Sequence, residues 1–332
     1  MAAALRCCVI GATGKWYREV HQPALERLAR AGRVELAAAS SRSEAGRELV
    51  RSMGFARSCA DAGEMLDRER PDYAVLCMAP RPMAELAGLV LERRVPLFME
   101  KPAGHDLAAG RALAAVAERA GMSCMVAYNR RHCPLLVRAK ELLAGRAVSQ
   151  AVCEFLRNDV SAPARMLGSA LHSVDALRFL LGEVAEFRGL GSAARYFDGK
   201  MVAASFCLGF AGGAAGSFTF NVRAGRSHER YRLFAGNWTV SVSLPPPGRF
   251  DDAWRLEVEE GGRVVESLSA ADLPEERRCA GYAHGFWREH EHFVECLERS
   301  VRPEPGIAEG LASMELAQAM LEAVAPAEQL AR

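Results

Sequence analysis

The stretch Val95-Pro96-Leu97-Phe98-Met99-Glu100-Lys101-Pro102-Ala103 sets how the chain is read. It begins as a short apolar run of the kind that forms a strand buried on both faces of a parallel sheet. A charged pair ends the run and a proline closes it, which biases Lys101 away from the helical region. In an open α/β sheet, ligands bind outside the carboxyl ends of the strands. A lysine there can hydrogen-bond a substrate hydroxyl and, if its pKa is lowered, exchange a proton with it. The same residues also fit a surface lysine at a strand end, so the flanking sequence must separate the two readings.

Outward from this stretch, residues 6–144 alternate short apolar runs with amphipathic helical patterns. The runs are 7–10, 34–39, 73–78, 95–98 and 123–127, and helical spacing fills 23–30, 44–53, 83–93 and 107–120. Asp106 suits a helix N-cap, and Gly121 follows the last periodic residue of the helix it starts. Strands alternating with helices imply βαβ units, so this half is expected to be a doubly wound parallel sheet, a Rossmann domain over residues 1–127.

The first run ends in Gly11-Ala12-Thr13-Gly14-Lys15-Trp16. A glycine-bearing turn here can bring backbone N–H groups up to a pyrophosphate at a helix N-terminus. Against G-x-G-x-x-G, the second glycine is replaced by Thr13 and the third position is Trp16, and a tight strand-to-helix turn needs glycine in any case. The second run ends in Ala39-Ser40-Ser41-Arg42-Ser43, with no carboxylate before Glu44. NAD-selective proteins place Asp or Glu there for the ribose 2′-hydroxyl. Ser41 and Arg42 instead suit a 2′-phosphate, which a guanidinium can pair with. Within a Rossmann reading, NADP(H) is therefore favoured over NAD(H).

After residue 145 the texture changes. Residues 148–155 alternate like a strand, and 167–181 carry helical apolar spacing. Residues 187–267 are strand-rich, with turn signals at Asp198-Gly199, Gly212-Gly213 and Gly261-Gly262. A C-terminal α/β domain over residues 128–332, with a large and mostly antiparallel sheet, is expected. Helical patterns at 282–300 and 307–325 close the chain and can pack back on the first domain. On the 167–181 helix, His172 and Asp175 share one face; histidine is the side chain best suited to acid–base work near neutrality. A satisfied core histidine is the plainer alternative. His284, His290 and His292 do not make a metal centre, because 290 and 292 point apart on a helix; an outer charged face with Glu289, Glu291 and Glu295 accounts for them. No metal is expected.

At 332 residues the chain can form two domains, and its net charge of +1 gives no reason to expect nucleic acid or an anionic membrane as partner. No apolar run reaches the roughly 18 residues of a spanning helix, and residues 1–6 lack a signal-peptide pattern. The ten cysteines include no C-x-x-C pair and fall mostly in apolar runs. Reduced core thiols in a cytoplasmic protein are expected.

Taken together, these motifs resemble the Gfo/Idh/MocA family of NAD(P)-dependent oxidoreductases. The resemblance covers the glycine turn followed by His21-Gln22-Pro23-Ala24-Leu25, then Met78-Ala79-Pro80 and Glu100-Lys101-Pro102 at strand ends. It continues through residues 126–134, the 168–182 helix, 290–297 and the helix near 312–320. It implies hydride transfer between nicotinamide and a hydroxyl or keto carbon of a sugar- or cyclitol-like small molecule. It also implies a homo-oligomer built on the C-terminal sheet. By resemblance, Lys101 bonds the reacting oxygen and His172 is the acid/base. Asp175, Tyr128 and Arg165 contact substrate. Gly11, Ala12, Thr13, Gly14, Trp16, Ser41, Arg42, Ala79, Pro80, Glu100 and Lys101 line the cofactor. One departure stands out: many members carry an aspartate four residues before the histidine, and that position here is Gly168. The departure leaves room for an imine or tetrapyrrole-type reductase. A cofactor-binding sensor of the same fold is the non-catalytic alternative, against which the retention of both Lys101 and His172 argues.

Overall fold

In the computed structural model, residues 3–158, 166–191, 203–246 and 248–324 are described. The chain divides into two compact units, residues 1–128 with 286–312 and residues 129–285 with 313–332.

The first unit holds β1 (Leu5–Ile10), α1 (Gln22–Arg30), β2 (Val34–Ser40), α2 (Glu44–Ser52), β3 (Arg57–Cys59) and α3 (Ala62–Glu69). These are followed by β4 (Tyr73–Leu76), α4 (Pro80–Glu92), β5 (Leu97–Glu100), α5 (Leu107–Ala120) and β6 (Cys124–Ala127). All strands pair in parallel, in the order β3-β2-β1-β4-β5-β6. Strand order therefore reverses between β1 and β4, which is where doubly wound sheets open a crevice. The strands are apolar because helices cover both faces: every residue of β4, β5 and β6 is buried. The short edge strand β3 carries only Arg-Ser-Cys and gave no periodic signal. The first helix also starts earlier than the 23–30 pattern. The chain turns helical at Lys15 and makes a π turn at Tyr17–His21 before α1.

The second unit holds α6 (Pro134–Leu143), β7 (Gln150–Asn158), α7 (Leu171–Leu181), β8 (Val184–Gly191), β9 (Ala203–Phe210), β10 (Ala215–Asn221) and β11 (Arg223–Ala235). Next come β12 (Trp238–Leu244), β13 (Arg255–Glu260), β14 (Arg263–Ser269) and the short α8 (Ala280–Ala283). Its eight strands run β14-β13-β12-β11-β7-β10-β9-β8. Among the described residues only the β7–β10 pair is parallel; the other pairs are antiparallel. Alternation gives one buried row, including Phe155, Phe206, Phe218, Phe220, Tyr231, Val240 and Leu256. Cys207, read as a core thiol, lies on the opposite face of β9 and is exposed; seven of the ten cysteines are buried and all are free.

The expected closing helix over 282–300 is broken. It ends at α8, and α9 (Phe286–Glu298) begins after Gly285. That glycine has φ +86°, and a Cβ there would sit 2.4 Å from the Asn129 carbonyl oxygen. The last helix, α10 (Ile307–Val324), starts in the first unit and continues into the second.

Candidate active site

The expected cofactor residues stand along one rim of the six-stranded sheet, at the carboxyl ends of β2, β1, β4 and β5. Gly11 follows β1 with φ +93°, and a Cβ there would lie 2.1 Å from the Cys77 carbonyl oxygen just past β4. Only glycine lets the two strand ends approach this closely at the switch point. The Gly14 N–H donates to the Gly11 carbonyl at 3.1 Å, closing the turn, and the helix that begins at Lys15 aims its first N–H groups back at the rim. At the end of β2, the Ser41 N–H donates to Cys59 O at 2.9 Å. Ser43 caps α2 by accepting from the Gly46 N–H at 3.1 Å. The Arg47 guanidinium donates to the carbonyls of Ser41 and Arg42 at 3.1 and 2.9 Å. That shapes the loop and leaves the Arg42 side chain exposed. Ala79 and Pro80 are exposed at the start of α4, and Lys101 is half-buried one residue beyond β5.

Two of the expected cofactor residues turn inward and meet each other. Trp16 Nε1 donates to Glu100 Oε1 at 2.8 Å, and the Trp16 ring meets Phe286 edge-on with centroids 5.6 Å apart. Glu100 also receives His21 Nε2 at 2.9 Å and the Lys101 N–H at 3.0 Å. His21 Nδ1 lies 2.9 Å from His290 Nε2. Burial pushes the Glu100 carboxyl up, but His21, the charge of Lys101 and Trp16 outweigh it and hold the group below its ordinary value. Sequence reasoning missed His290 and Glu289, placing them on an outer charged face, whereas both are buried. The signal was present: Phe286, His290, Phe293 and Val294 follow the i, i+4, i+7, i+8 spacing of one buried stripe.

The remaining site residues lie in the second unit, apart from Tyr128, which ends the first. Tyr128 is buried and its hydroxyl donates to Gly310 O at 3.1 Å. His172 is half-buried in the first turn of α7. Asp175 is fully buried and engaged on both oxygens: Arg131 Nε and Nη2 donate at 2.8 Å each, and the Ser313 hydroxyl adds a third bond at 2.8 Å. Asp175 thus fixes α7 to the segment after β6 and to α10. Arg165 lies outside the described residues.

Next to Asp175, Ser173 donates at 3.2 Å to Glu229, the centre of a second buried set that sequence reasoning did not find. Arg130 forks onto Glu229 through Nε and Nη2 at 3.1 and 2.8 Å, Arg157 adds a bond at 3.2 Å, and the Tyr231 hydroxyl adds one at 2.6 Å. Burial would raise the Glu229 pKa, but the two guanidiniums dominate and hold it far below the carboxylate range. Arg157 is buried by this pairing.

Comparison with known proteins agrees with this architecture. Residues 5–128 match the Gfo/Idh/MocA family, described as "Oxidoreductase family, NAD-binding Rossmann fold". No curated protein matches. Among solved structures, an oxidoreductase from Agrobacterium radiobacter in complex with NAD+, L-tartaric acid and magnesium is similar at TM-score 0.80. It shares 17% identity, over 96% of each chain. An oxidoreductase domain protein from Kribbella flavida reaches 0.81 at 21% identity over 97% of each chain. Levoglucosan dehydrogenase in complex with NADH reaches 0.81 at 17% identity over 96% of each chain. At these identities the structures show a shared fold. The family match covers the parallel sheet that carries the glycine turn and Lys101, so residues 5–128 are similar to the NAD-binding Rossmann domain of the Gfo/Idh/MocA oxidoreductases.

Proposed function

We propose that this chain is an NADP(H)-preferring oxidoreductase acting on a hydroxyl or keto carbon of a sugar- or cyclitol-like molecule. The observation that carries the reading is the shared rim: Lys101 stands at the end of β5, on the same sheet edge as the Gly11–Gly14 turn beyond β1. The turn and helix start suit a pyrophosphate, since they offer backbone N–H groups and a favourable dipole to an anion. Ser41 and the exposed Arg42 suit a 2′-phosphate, with no carboxylate before Glu44 to repel it. Ala79 and Pro80 stand just past β4, which lies between β1 and β5 in the sheet. Levoglucosan dehydrogenase shares this fold and supports the sugar-like substrate class.

The bound nicotinamide supplies the hydride acceptor or donor. In the oxidative direction, the Lys101 ammonium would hydrogen-bond the substrate oxygen as its carbon loses hydride; His172 carries the acid/base role that the family resemblance implies. A positioned base of this kind accelerates such a step by about 100- to 10,000-fold. Tyr128 and Asp175 act through position, Tyr128 by its bond to Gly310 and Asp175 by locking α7, which carries His172. The half of the large sheet not covered by α6 and α7 serves as the contact for a homo-oligomer, which gel filtration with light scattering checks.

The cofactor assignment is tested by fluorescence titration with NADPH and NADH. NADPH should bind at least about tenfold more tightly, and Arg42→Ala should narrow the gap by about tenfold, the worth of one charge-assisted contact. Equal affinities in the wild type would remove the NADP preference.

A further inference from the structure

The buried cluster behind Lys101 has the donor set of a metal centre. His21 Nδ1, His290 Nε2 and a Glu289 carboxylate oxygen all lie within 4.8 Å of one another. The two nitrogens are 2.9 Å apart, and His21 Nδ1 is 4.0 Å from Glu289 Oε1. His21 ends the π turn after the glycine loop, and Glu289 and His290 are neighbours on α9, so two elements distant in sequence converge on one point. All three residues are at most 1% exposed.

A second observation concerns the far side of His21. Its Nε2 is 2.9 Å from Glu100 Oε1. An ionised carboxylate can only accept, so the ring proton sits on Nε2 and a neutral His21 turns its Nδ1 lone pair toward His290 and Glu289. A carboxylate behind the far nitrogen is the arrangement that orients metal-binding imidazoles and raises their basicity. The shell is aromatic: Phe98 stacks on His290 at 4.2 Å, and Phe98 and Phe286 meet His21 edge-on at 5.8 and 6.0 Å.

We propose that His21, His290 and Glu289 bind one divalent transition-metal ion of the zinc class, with Glu100 as the carboxylate that orients His21. Two imidazoles and a carboxylate suit Zn2+ or Co2+, whereas Mg2+ and Ca2+ take oxygen ligands. Tetrahedral nitrogen ligands at about 2.05 Å from zinc are about 3.3 Å apart, so the imidazoles need separate by only a few tenths of an ångström. Uptake through His290 Nε2 moves that ring's proton from Nε2, where it meets His21 Nδ1, to Nδ1. The ion would tie α9 to the helix that begins at the glycine turn, coupling its binding to the stability of the first unit.

The test uses the full chain, stripped with a chelator and reloaded with Zn2+ or Co2+, then passed through gel filtration. Elemental analysis should find about one equivalent per chain, and the cobalt form should show visible d–d absorption. The melting temperature should rise with metal concentration. His290→Gln and Glu289→Gln should each abolish stoichiometric retention, and Glu100→Gln should weaken affinity by about 10- to 100-fold. Glu291→Gln, on α9 outside the cluster, should bind as the wild type does. A folded wild type that retains neither ion would overturn the proposal whatever the variants do. So would a His290→Gln chain that keeps the wild-type stoichiometry and cobalt spectrum.

Discussion

Each unit buries a carboxylate at its heart, and the two are satisfied by different chemistry. Glu229 in the second unit is met by Arg130 and Arg157, two groups that cannot give up their charge, and by two hydroxyls. Glu100 in the first unit is met by an indole, an imidazole and its own neighbour's N–H. The first arrangement is fixed in charge and fastens β7, β11, α7 and the segment after β6 together. The second is built from groups without fixed charge, and it sits one residue from Lys101, which we propose bonds the reacting oxygen.

The largest expected effect breaks the fixed-charge set. Glu229→Gln leaves two buried guanidiniums uncompensated and should cost about 3–5 kcal/mol in urea unfolding. Less than 1 kcal/mol would mean that water reaches these groups and that the set is not a scaffold.

The next effect is pH-dependent and lies beside the same set. His284 is fully buried with Nε2 3.0 Å from Arg249 O. Burial, aided by the charge of Arg130, lowers its pKa to about 3. A depressed histidine contributes stability above its unfolded pKa of about 6.5 and loses it as pH falls, because the unfolded chain takes up the proton first. Between pH 6.5 and 5 the loss should be about 2 kcal/mol, read as a falling urea midpoint. His284→Gln should flatten that slope; an unchanged slope would place the acid sensitivity elsewhere. Glu229, also depressed, adds its loss only below the ordinary carboxylate range.

The smallest effect is expected in the first unit. Glu100→Gln should cost about 1 kcal/mol in metal-free protein, because an amide oxygen can still accept from Trp16 and His21. A loss as large as that of Glu229→Gln would erase the contrast between the units.

The parallel-sheet half was legible because its signals are local. Buried strands read as apolar runs, and glycine and proline marked the turns at Gly11 and Lys101. What escaped were β3, short and polar at the sheet edge, the eight-residue helix α3, and the helical start at Lys15. The second unit's antiparallel sheet was legible from alternation, although its single parallel pair was not. The polar clusters were not legible as sets, because their members meet only on folding: Arg130 and Glu229 are 99 residues apart, and His21 and His290 are 269 apart. Asp175 shows the same limit. Its position on the His172 face was clear from spacing, but its partners Arg131 and Ser313, which make it an anchor of α7, were not.

The central claim, that Lys101 touches the reacting oxygen on a cofactor-binding rim, is tested most directly by comparing the wild type with Lys101→Met. Both would be assayed for NADPH binding by fluorescence and for hydride transfer at 340 nm across a panel of sugars, polyols and keto sugars. The account predicts that Lys101→Met binds NADPH as the wild type does and loses about 100- to 10,000-fold in turnover on whichever substrate the wild type accepts. Unchanged turnover in Lys101→Met would contradict it.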